Sequence, residues 1–307
     1  MLYLKLLNNK YVRIITHTDL DGQSCPAIIK SYIEINNINS ILDIKYVPAF
    51  KQDEFILPEL DSIKDELVII TDISPEQNIV DKIDRLNNDG HNIILVDHHP
   101  DSVKLDRPWN LSQEEDNGRK ISATELLEKI LFNGNKKYIE TFSQAVSARD
   151  TFNSKSEYWE LGNQLNDLCF LFPKGSFFTQ EIARRLSNLD DLITKSELDK
   201  INKIKEAHKK YCNDQAAKYQ LKVKEINGKY YTYAKIEVDC NKQSSDTARI
   251  VYENNNIAID FVAIYVKESG AYALRSNNTP VLPIAEYLGG GGHEFAAGCK
   301  PEDPDFF

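Results

Sequence analysis

The chain has 307 residues, 41% of them hydrophobic, and a formal net charge of −10. That length allows one large domain or two ordinary ones, and that apolar content excludes the low-complexity disordered class. The acidic balance argues against a grip on long nucleic acid, which needs a basic stripe to release counterions, but not against a small anion in a local pocket. Clustered carboxylates that bind divalent cations inflate the same count, so the charge by itself reads both ways.

Taken in order, the opening "MLYLKLLNNKYVRIIT" has no clean apolar signal region and no small-residue cleavage site, so no signal peptide is expected. No apolar run approaches the length of a membrane span. "YVRIIT" (11–16) reads as a strand, followed by a helix at about 25–36. "DIKYVP" (43–48) and "ELVIIT" (66–71) are further strands. "SPEQNIVDKIDRLNND" reads as a helix capped by Ser74, with Pro75 at its first position and Ile79, Ile83 and Leu86 on one face. "HNIILV" (91–96) is a fourth strand, and helices are expected over 122–132 and 137–148. Short apolar strands alternating with helices predict an α/β fold with a parallel sheet covered on both faces.

From about 180 to 218 the chain is strongly polar and helical, as a linker between domains would be. The remainder restarts with strands around Asn227-Gly228, a strong hairpin signal. Then come a helix ("SDTARIVYEN"), strands ("IAIDFVAIYV", "YALRSN"), a short helix ("LPIAEYL"), four glycines and "HEFAAGC". This predicts a smaller second α/β domain. The expected division is 1–185, a helical linker at 186–218, and 219–307. Cys25, Cys169, Cys212, Cys240 and Cys299 are dispersed, with no C-x-x-C pair. They suggest reduced thiols in a cytoplasmic setting.

Three of the strands end in acids or histidines: His17, Asp19 and Asp21 after the first, Asp72 after the third, and Asp97, His98 and His99 after the fourth. Ligands of parallel α/β sheets bind beyond the carboxyl ends of the strands, so the three clusters converge on one edge. Packed aspartates repel and raise one another's pKa values, a cost that a pair of divalent cations removes. Imidazole mixed with carboxylate suits Mn²⁺ better than Mg²⁺ or Ca²⁺. The i, i+2, i+4 spacing of His17, Asp19 and Asp21 places them on one side of an extended segment. Alone, "DLDG" reads equally well as an Asx turn, Asp72 as a helix cap, and either histidine as a core residue. "GGGGH" (289–293) alone reads as a flexible loop, and Arg275 as a surface arginine. Yet glycines allow backbone N–H groups to approach an anion, and an arginine forks onto phosphate oxygens.

Taken together, "HTDLDG", "TDIS", "ILVDHHP" and "SARDTF" resemble the four motifs of the DHH phosphoesterase superfamily. "LRSN" and "GGGGHEFAAG" resemble its type 1 associated (DHHA1) C-terminal domain. The H-x-D-x-D-G form of the first motif resembles the nanoRNase and RecJ-like branch. The resemblance implies two metal ions, usually Mn²⁺ with Mg²⁺ or Co²⁺ as substitutes. Asp72 would bridge them, His17 and Asp19 would complete one, and Asp21, His98 and Asp150 the other. It implies that His99 faces the scissile phosphate, with Asp97 behind it orienting a histidine. Arg275, Ser276, Gly290, Gly291, Gly292 and His293 would hold the far end of the substrate.

The activity so implied is a phosphodiesterase that hydrolyses short single-stranded oligonucleotides, including linear dinucleotides such as pApA, to mononucleotides. Cyclic-dinucleotide phosphodiesterase and 3′-phosphoadenosine 5′-phosphate phosphatase are alternatives within the same chemistry. A non-catalytic nucleotide-binding module is the alternative of another class, and it should have lost metal ligands. Neither a membrane nor long duplex nucleic acid is expected as a partner, and a homodimer is compatible with the sequence.

Overall fold

Residue alternation along the first strands decides the architecture. In the computed structural model, which describes residues 5–6, 9–48, 52–173, 175–254, 258–303 and 305–307, β1 (Tyr11–His17), β2 (Ile41–Val47), β3 (Leu67–Thr71) and β4 (Asn92–Val96) form one sheet. Its order is β2-β1-β3-β4, and every pairing is parallel. Both faces are buried. Val12, Ile14, Leu67, Ile69, Ile94 and Val96 enter one core, while Ile15, Val68, Ile70, Ile93 and Leu95 enter the other. This is the period of two that a doubly covered sheet requires.

Helix α1 (Leu20–Ile35) packs on the first face with α5 (Ala123–Phe132), α6 (Lys137–Asp150), α7 (Trp159–Leu171) and α8 (Phe177–Asn188). Helices α2 (Gln52–Asp61) and α3 (Gln77–Asn88) cover the second. A short α4 (Pro100–Val103) and a two-stranded ribbon, β5 (Glu115–Asp116) with β6 (Arg119–Lys120), lie between β4 and α5 in the chain. The strand order reverses between β1 and β3, and such a reversal opens a crevice at the carboxyl edge of a parallel sheet.

Two helix starts differ from the sequence expectation. Helix α1 begins at Leu20, five residues before the expected position, because the Asp19 side chain accepts a hydrogen bond from Gly22 N at 3.0 Å and caps it. His17 therefore ends a strand, Asp19 is a cap and Asp21 stands in a helical first turn, so the three do not share an extended segment. Helix α3 begins at Gln77, with Glu76 as its N-cap and no side-chain capping bond, in place of Ser74 and Pro75. Residues 72–76 are spent on turning at Asp72 and burying Ile73 before the helix starts.

The chain divides into two compact units, Met1–Ile201 and Asn202–Phe307. The division falls inside α9 (Lys195–Ala216): Ile201 belongs to the first core, and Cys212 and Ala216 to one in the second unit. The second unit is a mixed six-stranded sheet of order β11-β12-β10-β9-β8-β7. Its strands are β7 (Gln220–Ile226), β8 (Lys229–Val238), β9 (Phe261–Val266), β10 (Ala271–Arg275), β11 (Gly291–His293) and β12 (Ala296–Cys299). Helices α10 (Ser244–Asn254) and α11 (Leu282–Tyr287) accompany it. Asn227 and Gly228 both have positive φ in the β7–β8 turn, as a two-residue hairpin demands. The start of the strand expected from Ile257 lies outside the described residues. The described cysteines are all free, and no helix is long and apolar enough to cross a membrane among the described residues.

Candidate metal centre

The carboxyl ends of β1, β3 and β4 carry His17, Asp72 and the Asp97–His99 run. Parallel register sets Thr16 beside Thr71 and Thr71 beside Val96, so these ends lie in one row. Below that row the Thr71 hydroxyl donates to Thr16 Oγ1 at 2.8 Å, and the Thr16 hydroxyl donates to Gly22 O at 2.7 Å. This chain of bonds ties the strand ends to the first turn of α1. Gly22 is required there: a Cβ would lie 2.4 Å from His17 O.

Donor atoms gather in three overlapping groups, within 4.8 Å of one another in each: His17, Asp19 and Asp72; Asp21, His98 and Asp150; and Asp72, Asp97, His98 and His99. His17 Nδ1 is 2.8 Å from Asp19 Oδ2 and 3.9 Å from Asp72 Oδ2. His98 Nε2 faces three carboxylates, at 3.3 Å from Asp150, 3.5 Å from Asp72 and 3.9 Å from Asp21. His99 Nδ1 pairs with Asp97 Oδ1 at 2.8 Å, and its ring centroid lies 4.4 Å from that of His98.

Asp21 is oriented from a distance in sequence. It accepts hydrogen bonds from Ala123 N at 2.9 Å and Thr124 N at 3.0 Å, the open N–H groups at the start of α5. Asp72 stands at φ 53°, a left-handed conformation that aspartate tolerates better than most residues. Asp150 is the last residue of α6. The guanidinium of its neighbour Arg149 lies over the Phe152 and Trp159 rings.

The electrostatics are those of crowded acids. Burial, with the charges of Asp21, Asp19, Asp150 and Asp97, pushes the Asp72 carboxyl far above its ordinary range. Burial and the charges of Asp21 and Asp19 push Asp150 up to about 8. Against burial, the hydrogen bond and charge of His17 hold Asp19 low, and those of His99 hold Asp97 low. The histidines respond in kind: the hydrogen bond that His17 donates to Asp19 raises His17, and that which His99 donates to Asp97 raises His99.

A divalent metal fits this donor set. Asp72 Oδ2 and His98 Nε2 are buried with no hydrogen-bond partner among the described residues, and such atoms call for a ligand. A cation satisfies both and cancels the repulsion that drives the carboxyl pKa values up. The donors are nitrogen and oxygen. The nearby Cys25 thiol is fully buried, and that burial drives its pKa up, against thiolate ligation.

The residues expected to hold the far end of a substrate all lie in the second unit. Arg275, Gly290, Gly291 and Gly292 line one cleft of about 560 Å³, together with Lys300. The guanidinium donates to Ser245 Oγ, Leu274 O and Ala297 O. The glycines pair closely with β12: a Cβ on Gly290 would lie 2.0 Å from Gly298 O, and one on Gly292 2.7 Å from Ala297 Cα. Ser276 does not line this cleft. Its hydroxyl donates to Asp260 O and accepts from the amides of Asn278 and Thr279. His293 is exposed at the end of β11 and does not line the cleft either. Sequence reasoning missed Gly22, Ala123 and Thr124, and only the Gly after "HTDLD" offered a local signal.

Residues 11–148 match the model of the DHH family, N-terminal domain. The oligoribonuclease NrnB of Bacillus subtilis (strain 168) is 25% identical over 307 residues, covering 94% of this chain and 72% of the relative. A crystal structure of exonuclease RecJ bound to manganese superposes with a TM-score of 0.55 at 14% identity, over 98% of this chain and 88% of that one. RecJ of Thermus thermophilus in complex with Mn²⁺ gives 0.48 at 14% identity, over 98% of this chain and 51% of its own. The family match spans the sheet whose edge gathers the acids, so over residues 11–148 the chain is similar to the N-terminal domain of the DHH family.

Proposed function

We propose that this chain is a Mn²⁺-dependent phosphodiesterase that hydrolyses short oligonucleotides to mononucleotides. The observation that carries the reading is the convergence on His98 Nε2, a buried nitrogen without a hydrogen bond, of three carboxylates, from α1, the turn after β3 and the end of α6. The family match and the similarity to a protein named an oligoribonuclease support the substrate class. His17, Asp19 and Asp72 would hold one ion, and Asp21, His98 and Asp150 a second, with Asp72 between them. Divalent cations held there supply Lewis acidity toward a phosphoryl group and make water more acidic.

The protein's own groups do the rest. Ala123 N and Thr124 N hold Asp21 in one orientation. Asp97 accepts from His99 Nδ1–H, which sets the tautomer and turns Nε2 outward. That bond also raises the ring's pKa and so favours the cationic form, in which Nε2–H would donate to a phosphoryl oxygen. In the second unit, Arg275 lines the cleft and brings a guanidinium suited to a terminal phosphate.

The test is release of mononucleotides from two-, five- and twenty-residue RNAs, a cyclic dinucleotide and 3′-phosphoadenosine 5′-phosphate, with Mn²⁺, Mg²⁺ or Co²⁺. The expected result is fastest release from the shortest RNAs with Mn²⁺. No release above background with any of the three metals would overturn the reading.

A further inference from the structure

Phe152 is the most exposed large apolar side chain among the described residues, at 74%. It also has a φ of 53°, which is rare for a bulky residue. The local hydrogen bonds explain that angle. Phe152 N donates to Arg149 O and Asn153 N to Ala148 O, the pattern of a Schellman closure at the end of α6. Phe152 therefore occupies the position after the cap, where glycine or asparagine is usual. Burial does not compensate for the strain, because the ring is in solvent. A strained, exposed aromatic is a feature that function, not folding, explains.

Its place in the chain supplies the function. Two residues span at most about 7 Å, so Phe152 stands next to Asp150, whose Oδ2 is 3.3 Å from His98 Nε2. One side of the ring meets the Arg149 guanidinium, 5.2 Å from its centroid. That guanidinium also lies 6.0 Å from the Trp159 ring, which steadies it. An aromatic face backed by a cation, beside a phosphate-cleaving centre, suits a base that follows or precedes the scissile phosphate.

We propose that Phe152 is a stacking platform for a nucleobase of the substrate and so selects nucleotides over other phosphodiesters. This rests on the oligonucleotide reading given above. The experiment compares kcat/KM of the Mn²⁺-loaded full chain on an RNA dinucleotide and on the same dinucleotide with one base removed, and adds fluorescence quenching of a 2-aminopurine dinucleotide. Wild type should prefer the complete dinucleotide. Phe152→Ala should cut that preference roughly tenfold, and Phe152→Trp should keep it. Phe152→Asn, which suits the left-handed backbone, should melt no lower than wild type and still lose the preference, separating stacking from folding.

The proposal is overturned if the alanine and asparagine variants keep the wild-type preference, or if tryptophan loses as much as alanine. If wild type cleaves neither dinucleotide, the oligonucleotide reading itself has failed, and quenching alone then decides the platform. Quenching by wild type but not by Phe152→Ala upholds it, and equal or absent quenching in both overturns it.

Discussion

Asp72 combines burial, a left-handed backbone and contact with two histidines. Its pKa is raised because the charged form is desolvated first and repelled second, so the carboxylate burdens the metal-free fold. Asp72→Asn keeps the backbone preference and removes the charge. The expected outcome is more than ~100-fold loss of activity, beyond what loss of an outer partner costs, with a melting temperature in chelator no lower than that of wild type. Retained turnover would refute a bridging role, and a large drop in melting temperature would refute the repulsion account. The sequence flagged Asp72 by its place after an apolar run. It flagged Asp150 only through the motif resemblance, because that residue ends a helix and enters the site through packing of α6. Nor could it show that Asp21 is held by amides more than a hundred residues away.

At the scale of elements, close packing of α6 and α7 places Asp150. A Cβ on Gly162 would meet Ala145 O at 2.2 Å and Arg149 Cβ at 2.9 Å, so Gly162→Ala forces the helices apart. Overpacking of this kind costs ~1–3 kcal/mol. Calorimetry should show the loss of stability, and a Mn²⁺ titration should show weaker binding, because the displaced helix carries Asp150. A second junction joins α8 to the start of α9. Arg185, 4% exposed, donates to Glu181, to Leu192 O and, through two nitrogens, to Glu197. Arg185→Ala removes the guanidinium from Leu192 O and from both carboxylates, although Glu181 keeps Arg184 and Glu197 keeps Thr194, and breaking a buried pair costs about 3 kcal/mol or more.

The same junction gives a pH dependence with a definite sign. The Arg184 hydrogen bond, and after it those from Arg185, hold Glu181 down to about 2. A depressed carboxyl contributes stability that is fully present above the ordinary glutamate range and is lost as pH falls toward about 2. Wild type should therefore lose stability over that acid window more steeply than Arg184→Ala, as urea unfolding at stepped pH would show. Helix starts were the least legible elements. Asp19 caps Gly22 where a turn was an equal reading, and the bend at Asp72 delays α3 to Gln77. Both depend on bonds and burial that the local pattern does not encode.

For the whole molecule, the net charge of −10 bears on substrate length. A short RNA engages few phosphates, and each neutralised phosphate on a single strand contributes about −0.7 to the slope of log affinity against log salt. The expected slope is no steeper than about −1.4, the value for two contacts, and two-residue RNA should be cleaved faster than twenty-residue RNA at equal concentration. A slope near that of long-polymer binders would contradict this.

By itself the sequence determined the four apolar strands, the Asn-Gly hairpin and the resemblance to the DHH family over residues 11–148, because hydrophobic period, turn chemistry and motif spacing are local. It also put acids and histidines at three strand ends. Only the tertiary structure decided that His98 faces Asp21, Asp72 and Asp150 together, and that a phenylalanine sits strained and open beside them. Those facts come from parallel register and helix packing, which join residues far apart in the chain and leave no mark in any one segment.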